Sequence, residues 1–300
     1  MNAKKVWTIK DVLLWTSEYF KKNDIQSAQL NAEMIIAKVL NCSRMELYLK
    51  YDKPLNLIKR KEIRNLVKKR ATHYPIQYLL GETEFYGYKF LVDEGVMIPR
   101  PETEILVDAV ISYIKQSNND QWNILDIGTG TGIIPISINK YFENKEVNMH
   151  FLATDISEIG LENAKKNIEL HNIKNIKPIK SNLFENVSTK WRIDIITSNP
   201  PYISDKEFED LQKEVKDFEP KLALFGDEKG LTYYKKILQN AENFLNKNGK
   251  IFFEIGANQK DDMEKIIHHF DYKLIDIIKD YNDLYRVLII EKINKKQEVI

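Results

Sequence analysis

The chain has a single cysteine, no long apolar run and almost no net charge. Because Cys42 is that cysteine, no intrachain disulfide and no zinc site built from several cysteines can form. No segment reaches the roughly 18 uncharged apolar residues that cross a bilayer, and residues 1–10 lack the apolar core and cleavage site of a signal peptide. The formal net charge is +1 and 43% of the 300 residues are hydrophobic, which predicts a globular, cytoplasmic protein with no membrane partner.

Metal ligands and acid–base pairs also form no recognisable pattern. The five histidines are scattered without the spacing of a metal site. They are His73, His150, His171, His268 and His269. No metal is therefore predicted, and no acid–base dyad or nucleophile stands out.

Residues 1–81 are predicted to form a small helical domain. Apolar residues recur at helical spacing from Thr8 to about His73. Ser27 and Asn31 are the candidate start signals of the second helix, because short polar side chains cap helix N-termini. The chain is long enough for a second, larger domain, which we assign to residues 100–300.

A β-hairpin is predicted between these two parts. Gly81 and Gly87 interrupt the helical pattern, and residues 84–98 have the composition of two short strands around the turn 93–95. We therefore assign residues 82–99 to a hairpin that bridges the two domains.

The near-neutral total charge hides one basic segment. Residues 55–73 contain seven lysines and arginines but only one acid, Glu62. The basic residues are Lys59, Arg60, Lys61, Arg64, Lys68, Lys69 and Arg70. The segment predicts a basic helix face with two open interpretations: a solvated helix surface, or a surface that docks nucleic acid or a ribonucleoprotein-associated partner.

Beyond Trp122, strand-like segments alternate with helical ones, which is typical of a doubly wound, mainly parallel α/β sheet. Only five residues separate the last two strand-like segments, so these are predicted to pair as a terminal antiparallel hairpin. The seven predicted strands are 123–127, 149–154, 176–181, 194–198, 250–255, 272–278 and 284–291. Residues 294–300 are expected to fray.

The first of these strands runs into a glycine-rich loop that predicts a cofactor site. The loop reads Gly128, Thr129, Gly130, Thr131 and Gly132, and its glycines allow a ligand to approach the backbone closely. The next strand ends in Asp155, where a carboxylate can accept hydrogen bonds from both hydroxyls of a ribose. This pattern fits a dinucleotide or an adenosyl cofactor. The Gly-x-Gly-x-Gly spacing favours S-adenosylmethionine, because a dinucleotide site normally has Gly-x-Gly-x-x-Gly to seat a pyrophosphate.

A second motif predicts the target group. The strand 194–198 delivers Asn199, Pro200, Pro201 and Tyr202 to the carboxyl edge of the sheet, where open α/β sheets bind ligands. The Asn199 side-chain carbonyl and the Pro200 backbone carbonyl can accept the two N–H groups of a planar NH₂. The prolines stiffen the loop, and Tyr202 offers a flat face for stacking. The motif therefore predicts methyl transfer to an NH₂ on an sp² carbon, a reaction that depends on positioning more than on proton abstraction.

Together these motifs resemble the HemK-type protein-(glutamine-N5) methyltransferases, which modify peptide-chain release factors. The resemblance covers nearly the whole chain. The motifs that carry it are residues 84–87, 98–104, 128–132, 199–202, 218–220 and 286–287. It implies a Rossmann-like class I methyltransferase domain that uses S-adenosylmethionine, and a helical N-terminal domain that helps to grip the protein substrate. The implied reaction is methylation of the glutamine side chain in the Gly-Gly-Gln loop of release factors.

The resemblance also implies roles for particular residues. Cofactor contacts are expected from Gly128, Thr129, Gly130, Thr131, Gly132, Asp155 and Asn199, and the substrate glutamine is expected to lie against Asn199, Pro200, Pro201 and Tyr202. Of these, Asn199, Pro200 and Tyr202 are the expected catalytic residues. One departure concerns the adenine: this chain has Asn182 and Leu183 where the family often has Asp-Trp or Asp-Leu. The Asn182 carbonyl can still accept from the adenine amino group, and Leu183 can pack on the ring edge.

Three other interpretations remain open at this point. An aminopurine N6 in DNA or RNA presents the same planar NH₂, and the basic segment would hold phosphate, although such enzymes more often carry an extra recognition domain. A ribosomal-protein glutamine is a second alternative target, although the run 101–104 favours release factors. The third is a cofactor-binding module without catalytic activity. We expect a monomer that acts on release factors and does not bind nucleic acid directly.

Overall fold

The computed structural model describes residues 6–227 and 229–293, which form two compact units. One unit contains the chain up to Gly81 together with Lys213–Phe218, and the other contains Glu82–Gln212 and the chain from Glu219 onward. The separate bridging segment at 82–99 stays a proposal. The expected fraying of residues 294–300 falls outside the described residues.

The described residues form the following helices and strands, in chain order. They are α1 (Ile9–Lys22), α2 (Ala28–Leu40), α3 (Arg44–Leu49), α4 (Leu57–Arg70), α5 (Ile76–Leu80), β1 (Glu82–Phe85), β2 (Tyr88–Leu91), α6 (Thr103–Gln116), β3 (Gln121–Ile127), α7 (Ile133–Phe142), β4 (Asn148–Asp155), α8 (Glu158–Leu170), β5 (Ile176–Lys180), β6 (Ile193–Ser198), β7 (Ile203–Ser204), α9 (Asp205–Glu209), α10 (Lys213–Lys216), α11 (Lys221–Leu224), β8 (Phe225–Asp227), α12 (Thr232–Ala241), β9 (Leu245–Glu254), α13 (Lys260–His269), β10 (Tyr272–Lys279) and β11 (Tyr285–Lys292).

The first unit is helical, as the apolar spacing predicts. A capping box begins α1: the Thr8 side chain accepts from the Asp11 backbone N–H, and the Asp11 carboxylate accepts from the Thr8 N–H. Ser27 is the N-cap of α2, although its side chain makes no capping hydrogen bond. The prediction of Asn31 as a start signal was wrong. Asn31 is buried inside α2, where its Nδ2 donates to the Ser27 carbonyl at 3.2 Å.

The basic segment forms α4, but not all of its charges face solvent. Lys61, Arg64 and Lys68 are exposed, whereas Arg70 is only 3% exposed. Arg70 forms an ion pair with Glu214 at 2.7 Å, so this basic residue has a structural role within the first unit.

The predicted hairpin exists, but the turn at 93–95 does not join its strands, as the prediction had it. β1 and β2 pair antiparallel with Phe85 opposite Tyr88, so the turn consists of Tyr86 and Gly87. Both have positive φ, +54° and +72°, as a two-residue type I′ turn requires. Residues 93–95 lie in the loop after β2. The error arose because Asp-Glu-Gly is the more conventional turn composition, whereas here the glycine of Tyr-Gly permits the turn.

The second unit contains the predicted seven-stranded sheet, in the order β10-β11-β9-β6-β3-β4-β5. The pairs β3/β4, β4/β5, β3/β6 and β6/β9 are parallel, and the terminal hairpin β10/β11 is antiparallel, as predicted. The chain moves outward from β3 through β4 to β5 and then returns to the other side of β3 as β6. This reversal is a topological switch point, and the carboxyl ends of β3, β4 and β6 meet there.

Apolar clusters cover the two faces of the sheet. Val110, Ile124 and Phe252 belong to one, and Leu125, Tyr234 and Phe253 to the other. Within residues 6–227 and 229–293, every helix is too short or too polar to cross a bilayer.

Candidate active site

A cavity of about 1090 Å³, including the space at its mouth, opens at the switch point of the sheet. Most of the predicted site residues line it, namely Gly128, Thr129, Gly130, Thr131, Asp155, Asn182, Leu183, Asn199, Pro200 and Pro201. Gly132 and Tyr202 do not.

The glycine loop turns the chain sharply from β3 into α7. Gly128, Gly130 and Gly132 have φ values of +74°, +52° and +81°, a region that side chains with a Cβ rarely adopt. A Cβ on Gly132 would lie 3.2 Å from the Ile136 side chain and 3.4 Å from that of Ala164. Gly132 therefore permits close packing of α7, while the residues before it face the cavity.

Asp155 ends β4 and is held in place by backbone donors. Its Oδ2 accepts from the Gly130 N–H and its Oδ1 from the Ser157 N–H, each at 2.8 Å. Burial raises the pKa of Asp155, and these two hydrogen bonds act in the opposite direction. Each oxygen keeps a lone pair for one further donor, which is what a ribose with two hydroxyls requires.

Asp126 connects the strand before the glycine loop to a neighbouring strand. It is buried in β3, and its Oδ1 accepts from the Thr197 hydroxyl of β6 at 2.7 Å. Burial raises the pKa of Asp126 to about 6. Asp126 does not line the cavity. Its hydrogen bond joins β3 and β6, the strands that carry the glycine loop and residues 199–202, which we call the target loop.

The departure from the family pattern, Asn182 and Leu183, lies on the cavity wall. Asn182 Nδ2 donates to Glu185 Oε1 at 2.7 Å, which leaves the Asn182 carbonyl oxygen available as an acceptor. Leu183 has a φ of +52° and is partly buried. Ile156, which also lines the cavity, is 48% exposed and provides an apolar surface beside Asp155. A large apolar residue directly after the acid was the signal that sequence reasoning missed.

The target loop follows β6 and is attached to α6. Asn199 Nδ2 donates to Thr103 Oγ1 at 3.2 Å, so the nitrogen of this amide is already engaged. Thr103 is fully buried at the first position of α6 and also borders the cavity. Neither Pro200 nor Pro201 has a backbone donor that would compete for the carbonyls at this end of the cavity.

Tyr202, the last residue of the target loop, does not line the cavity. Its side chain packs against the second apolar cluster, and its hydroxyl lies 3.5 Å from Glu254 Oε1. Burial raises the pKa of the Tyr202 phenol well above its usual value. Stacking of the target group on this ring therefore stays a prediction.

Sequence reasoning missed the glycines that support the target loop. A Cβ on Gly226 would lie 2.3 Å from the Pro201 carbonyl oxygen, and one on Gly230 would lie 1.9 Å from that of Tyr202. β7, directly after the loop, pairs with β8, which contains Gly226. Gln259 Nε2 adds a hydrogen bond of 3.1 Å to the Tyr202 carbonyl. The loop is therefore held by backbone contacts that no side chain larger than hydrogen permits.

An ion pair between Arg100 and the buried Glu219 connects two of the other sequence motifs. Glu219 Oε1 lies 2.5 Å from Arg100 Nη2, and Glu219 Oε2 accepts from the Ile98 N–H at 3.0 Å. Glu219 is 6% exposed. The motifs at 98–104 and 218–220 are therefore joined, and Pro99 and Pro220 beside them border the cavity.

The cavity fits S-adenosylmethionine better than a dinucleotide. Asp155 is the one carboxylate among its described lining residues, and none of these is a lysine, arginine or histidine. A pyrophosphate favours nearby cations, which this lining lacks, whereas an adenosyl sulfonium carries a positive charge and no phosphate. The lining residues that could hold this cofactor are the 128–131 loop, Asp155, Ile156, Asn182 and Leu183.

We expect Asp155→Ala to weaken S-adenosylmethionine binding about 100-fold, because two charge-assisted hydrogen bonds to the ribose are lost. Isothermal titration calorimetry measures this change. At saturating cofactor the rate of methyl transfer should stay within about tenfold of wild type, since Asp155 does not touch the target loop. Glu158→Ala is the matched control, because it removes a nearby carboxylate whose ion pair with Lys180 lies at the surface. Equal cofactor affinity in wild type and Asp155→Ala would contradict this role.

Comparisons with known proteins agree with the geometry. The family model described as the PrmC N-terminal domain matches residues 11–81, and the one described as the methyltransferase small domain matches residues 102–216. The release factor glutamine methyltransferase of Fusobacterium nucleatum subsp. nucleatum is 38% identical over 96% of this chain and 80% of its own length. The protein of that name from Clostridium botulinum is 37% identical over 93% of this chain and 98% of its own.

One solved structure similar to this chain is a ribosomal protein L11 methylase from Lactobacillus delbrueckii subsp. bulgaricus. It is 20% identical, with a TM-score of 0.48 over 68% of this chain and 84% of that one.

Proposed function

The chain belongs to the release factor glutamine methyltransferase family, and we propose from this that it methylates N5 of the glutamine in the Gly-Gly-Gln loop of peptide-chain release factors. The methyl donor is S-adenosylmethionine. The observation that carries the proposal is the Asn199 amide, which borders the cavity next to the glycine loop while its nitrogen is engaged by Thr103. Its oxygen is thereby left to accept from a target amide.

The residues of the target loop match what an amide nitrogen requires. The lone pair of an amide nitrogen is delocalised, so the NH₂ must be held with its nitrogen facing the methyl donor. Asn199 Oδ1 accepts one N–H of the glutamine and the Pro200 carbonyl accepts the other. Fixing both hydrogens fixes the direction in which the nitrogen points.

The lining of the cavity supports a reaction by positioning and desolvation. Asp155 and Tyr233 are the only ionisable side chains among the described lining residues, and Asp155 belongs to the cofactor end. When bound, S-adenosylmethionine supplies an electrophilic methyl group on a sulfonium. The apolar side chains of Val96, Ile134 and Leu222 exclude water from the same space.

The proposal extends to the location of the enzyme, its oligomeric state and its docking to the substrate. We place it in the cytoplasm as a monomer, with the first unit helping to grip the release factor and without direct binding to nucleic acid. The exposed lysines and arginines of α4 then belong to a solvated or protein-facing surface.

A labelling panel tests the proposal. The protein is incubated with methyl-labelled S-adenosylmethionine and one of five substrates: a release factor, the same factor with its loop glutamine replaced, ribosomal proteins, ribosomal RNA or genomic DNA. We expect label on the release factor that disappears with the glutamine. Label on RNA or DNA alone would instead indicate an aminopurine target. Label on ribosomal proteins alone would indicate a ribosomal-protein glutamine methyltransferase.

A further inference from the structure

A buried amide on α8 is hydrogen-bonded to two distant segments of the chain. Asn167 is fully buried. Its Oδ1 accepts from the Leu91 backbone N–H at 2.7 Å, and its Nδ2 donates to the Leu91 carbonyl at 3.0 Å and to the Thr131 carbonyl at 2.9 Å. Leu91 ends β2, and Thr131 belongs to the glycine loop and lines the cavity. One side chain therefore connects the hairpin to the glycine loop.

The two hydrogen bonds to Leu91 are explained by the fold, whereas the third one concerns the cavity. β2 pairs with β1 on one side only, and the backbone groups on its other side need partners of their own. The Asn167 amide supplies a donor and an acceptor there, as a neighbouring strand would. The remaining hydrogen of Nδ2 contributes nothing to the hairpin. It fixes the Thr131 carbonyl, and so it acts on a wall of the cavity.

The chain directly after Leu91 forms a second wall of the same cavity. We call residues 92–98 the strap. Gly95, Val96 and Met97 of the strap line the cavity. Val96 Cγ1 lies 3.9 Å from the position of a Cβ added to Gly130, so the Val96 side chain lies beside the glycine loop. The strap and the glycine loop are therefore adjacent walls of one cavity.

The strap is anchored at both ends. At its start, Asp93 forms an ion pair of 2.6 Å with Lys166 of α8, and at its end the Ile98 N–H donates to Glu219 Oε2 at 3.0 Å. The first of these contacts lies at the surface, where an ion pair contributes little to stability. The buried Asn167 is therefore the stronger anchor at the start of the strap. Because the same amide also holds the glycine loop, it sets the separation of the two walls.

We propose that Asn167 is a positioning residue for S-adenosylmethionine, which acts through the Thr131 carbonyl and the strap to hold the two walls at the spacing that the cofactor requires. Asn167 is not part of the cavity lining, so the proposal assigns it no contact with the cofactor. Walls that are already ordered bind a ligand more tightly, because less freedom is lost on binding. The inference rests on the cofactor part of the proposed function and does not depend on which target group is methylated.

The first test is calorimetric titration of S-adenosylmethionine into wild type and Asn167→Ala. The Kd of the variant should be about 20-fold higher, because it loses the buried hydrogen bonds that order the two walls. At saturating cofactor, kcat should stay within about threefold of wild type. Partial unfolding raises an apparent Kd only by the reciprocal of the folded fraction, so a variant that a melting curve shows to be mostly folded separates positioning from folding. An unchanged Kd overturns the inference.

Asn175→Ala is the matched control for the loss of an amide. Asn175 Nδ2 donates to the Met149 carbonyl of β4 at 2.9 Å, and its Oδ1 accepts from Asn139 at 2.9 Å. Neither Asn175 nor its two partners belong to the cavity lining. The control should bind S-adenosylmethionine with the wild-type Kd. A loss of affinity equal to that of Asn167→Ala would show a general effect of removing an amide and would overturn the inference.

The second test needs no substitution and therefore holds even if Asn167→Ala does not fold. Hydrogen–deuterium exchange of wild type is measured with and without S-adenosylmethionine. The cofactor should slow exchange in residues 91–97 as well as in 128–132, and should leave β10 unchanged. Protection confined to the glycine loop overturns the inference, because the strap would then not be a wall of the cofactor site. A wild type that binds S-adenosylmethionine but methylates no release factor overturns the proposed function alone, so the two failures are distinguishable.

Discussion

Asn199→Ala is expected to lower kcat about 100- to 1000-fold, because the glutamine amide then loses the acceptor that points its nitrogen at the methyl donor. The affinity for S-adenosylmethionine should stay within about tenfold of wild type. We propose that the cofactor lies against the glycine loop and Asp155, which make no hydrogen bond to the Asn199 side chain among the described residues. Single-turnover methylation and calorimetry with the same preparation give both quantities.

The control for this variant is Asn240→Ala. Asn240 is an exposed asparagine of α12 whose Nδ2 donates to the Lys236 carbonyl at 2.8 Å, and it does not line the cavity. It should leave both quantities unaltered. If Asn199→Ala instead abolished cofactor binding and spared the rate at saturation, the roles of the two ends of the cavity would be reversed.

Gly230→Ala is expected to destabilise the fold by at least about 2 kcal/mol and to lower kcat by more than about 100-fold. The added Cβ would lie 1.9 Å from the Tyr202 carbonyl oxygen and 2.7 Å from its carbon, and the residue has a φ of +68°. Since the obstacle is backbone, it can be relieved only by moving the Gly230 segment and the target loop apart, which disturbs the packing that holds the loop. Urea unfolding and single-turnover kinetics measure the two effects.

Gly87→Ala is the matched control for the backbone strain alone. Gly87 has a φ of +72°, but nothing lies within 4 Å of its added Cβ. It should cost about 1 kcal/mol and leave kcat near the wild-type value. A Gly230→Ala protein no more impaired than Gly87→Ala would show that the close contact with Tyr202 does not position the loop.

The parts of the site that could be predicted from sequence lie in short, continuous segments. The 128–132 loop and Asp155 each follow a strand directly, so the strand pattern alone places them at one edge of a parallel sheet. The same argument places Asn199 beside them, since β6 is the other neighbour of β3. The terminal hairpin could be predicted because only five residues separate its two strands, which leaves no room for a crossover helix.

The missed parts depend on contacts between distant segments. Glu254 lies at the end of an apolar strand, and its carboxyl comes within 3.5 Å of the Tyr202 hydroxyl only because β9 runs beside β6. The sequence around Gly230 gives no local indication that a Cβ there would collide with the Tyr202 carbonyl oxygen. The misplaced hairpin turn had another cause: Tyr86 takes a positive φ that its residue type disfavours, and the fold imposes it.

The most direct test of the account is tandem mass spectrometry of a release factor after incubation with this protein and S-adenosylmethionine. The account predicts one added methyl group on the side-chain nitrogen of the glutamine in the Gly-Gly-Gln loop, and none after incubation with Asn199→Ala for the same time. A methyl group on any other residue, or an unmodified release factor beside a methylated nucleic acid, would contradict it.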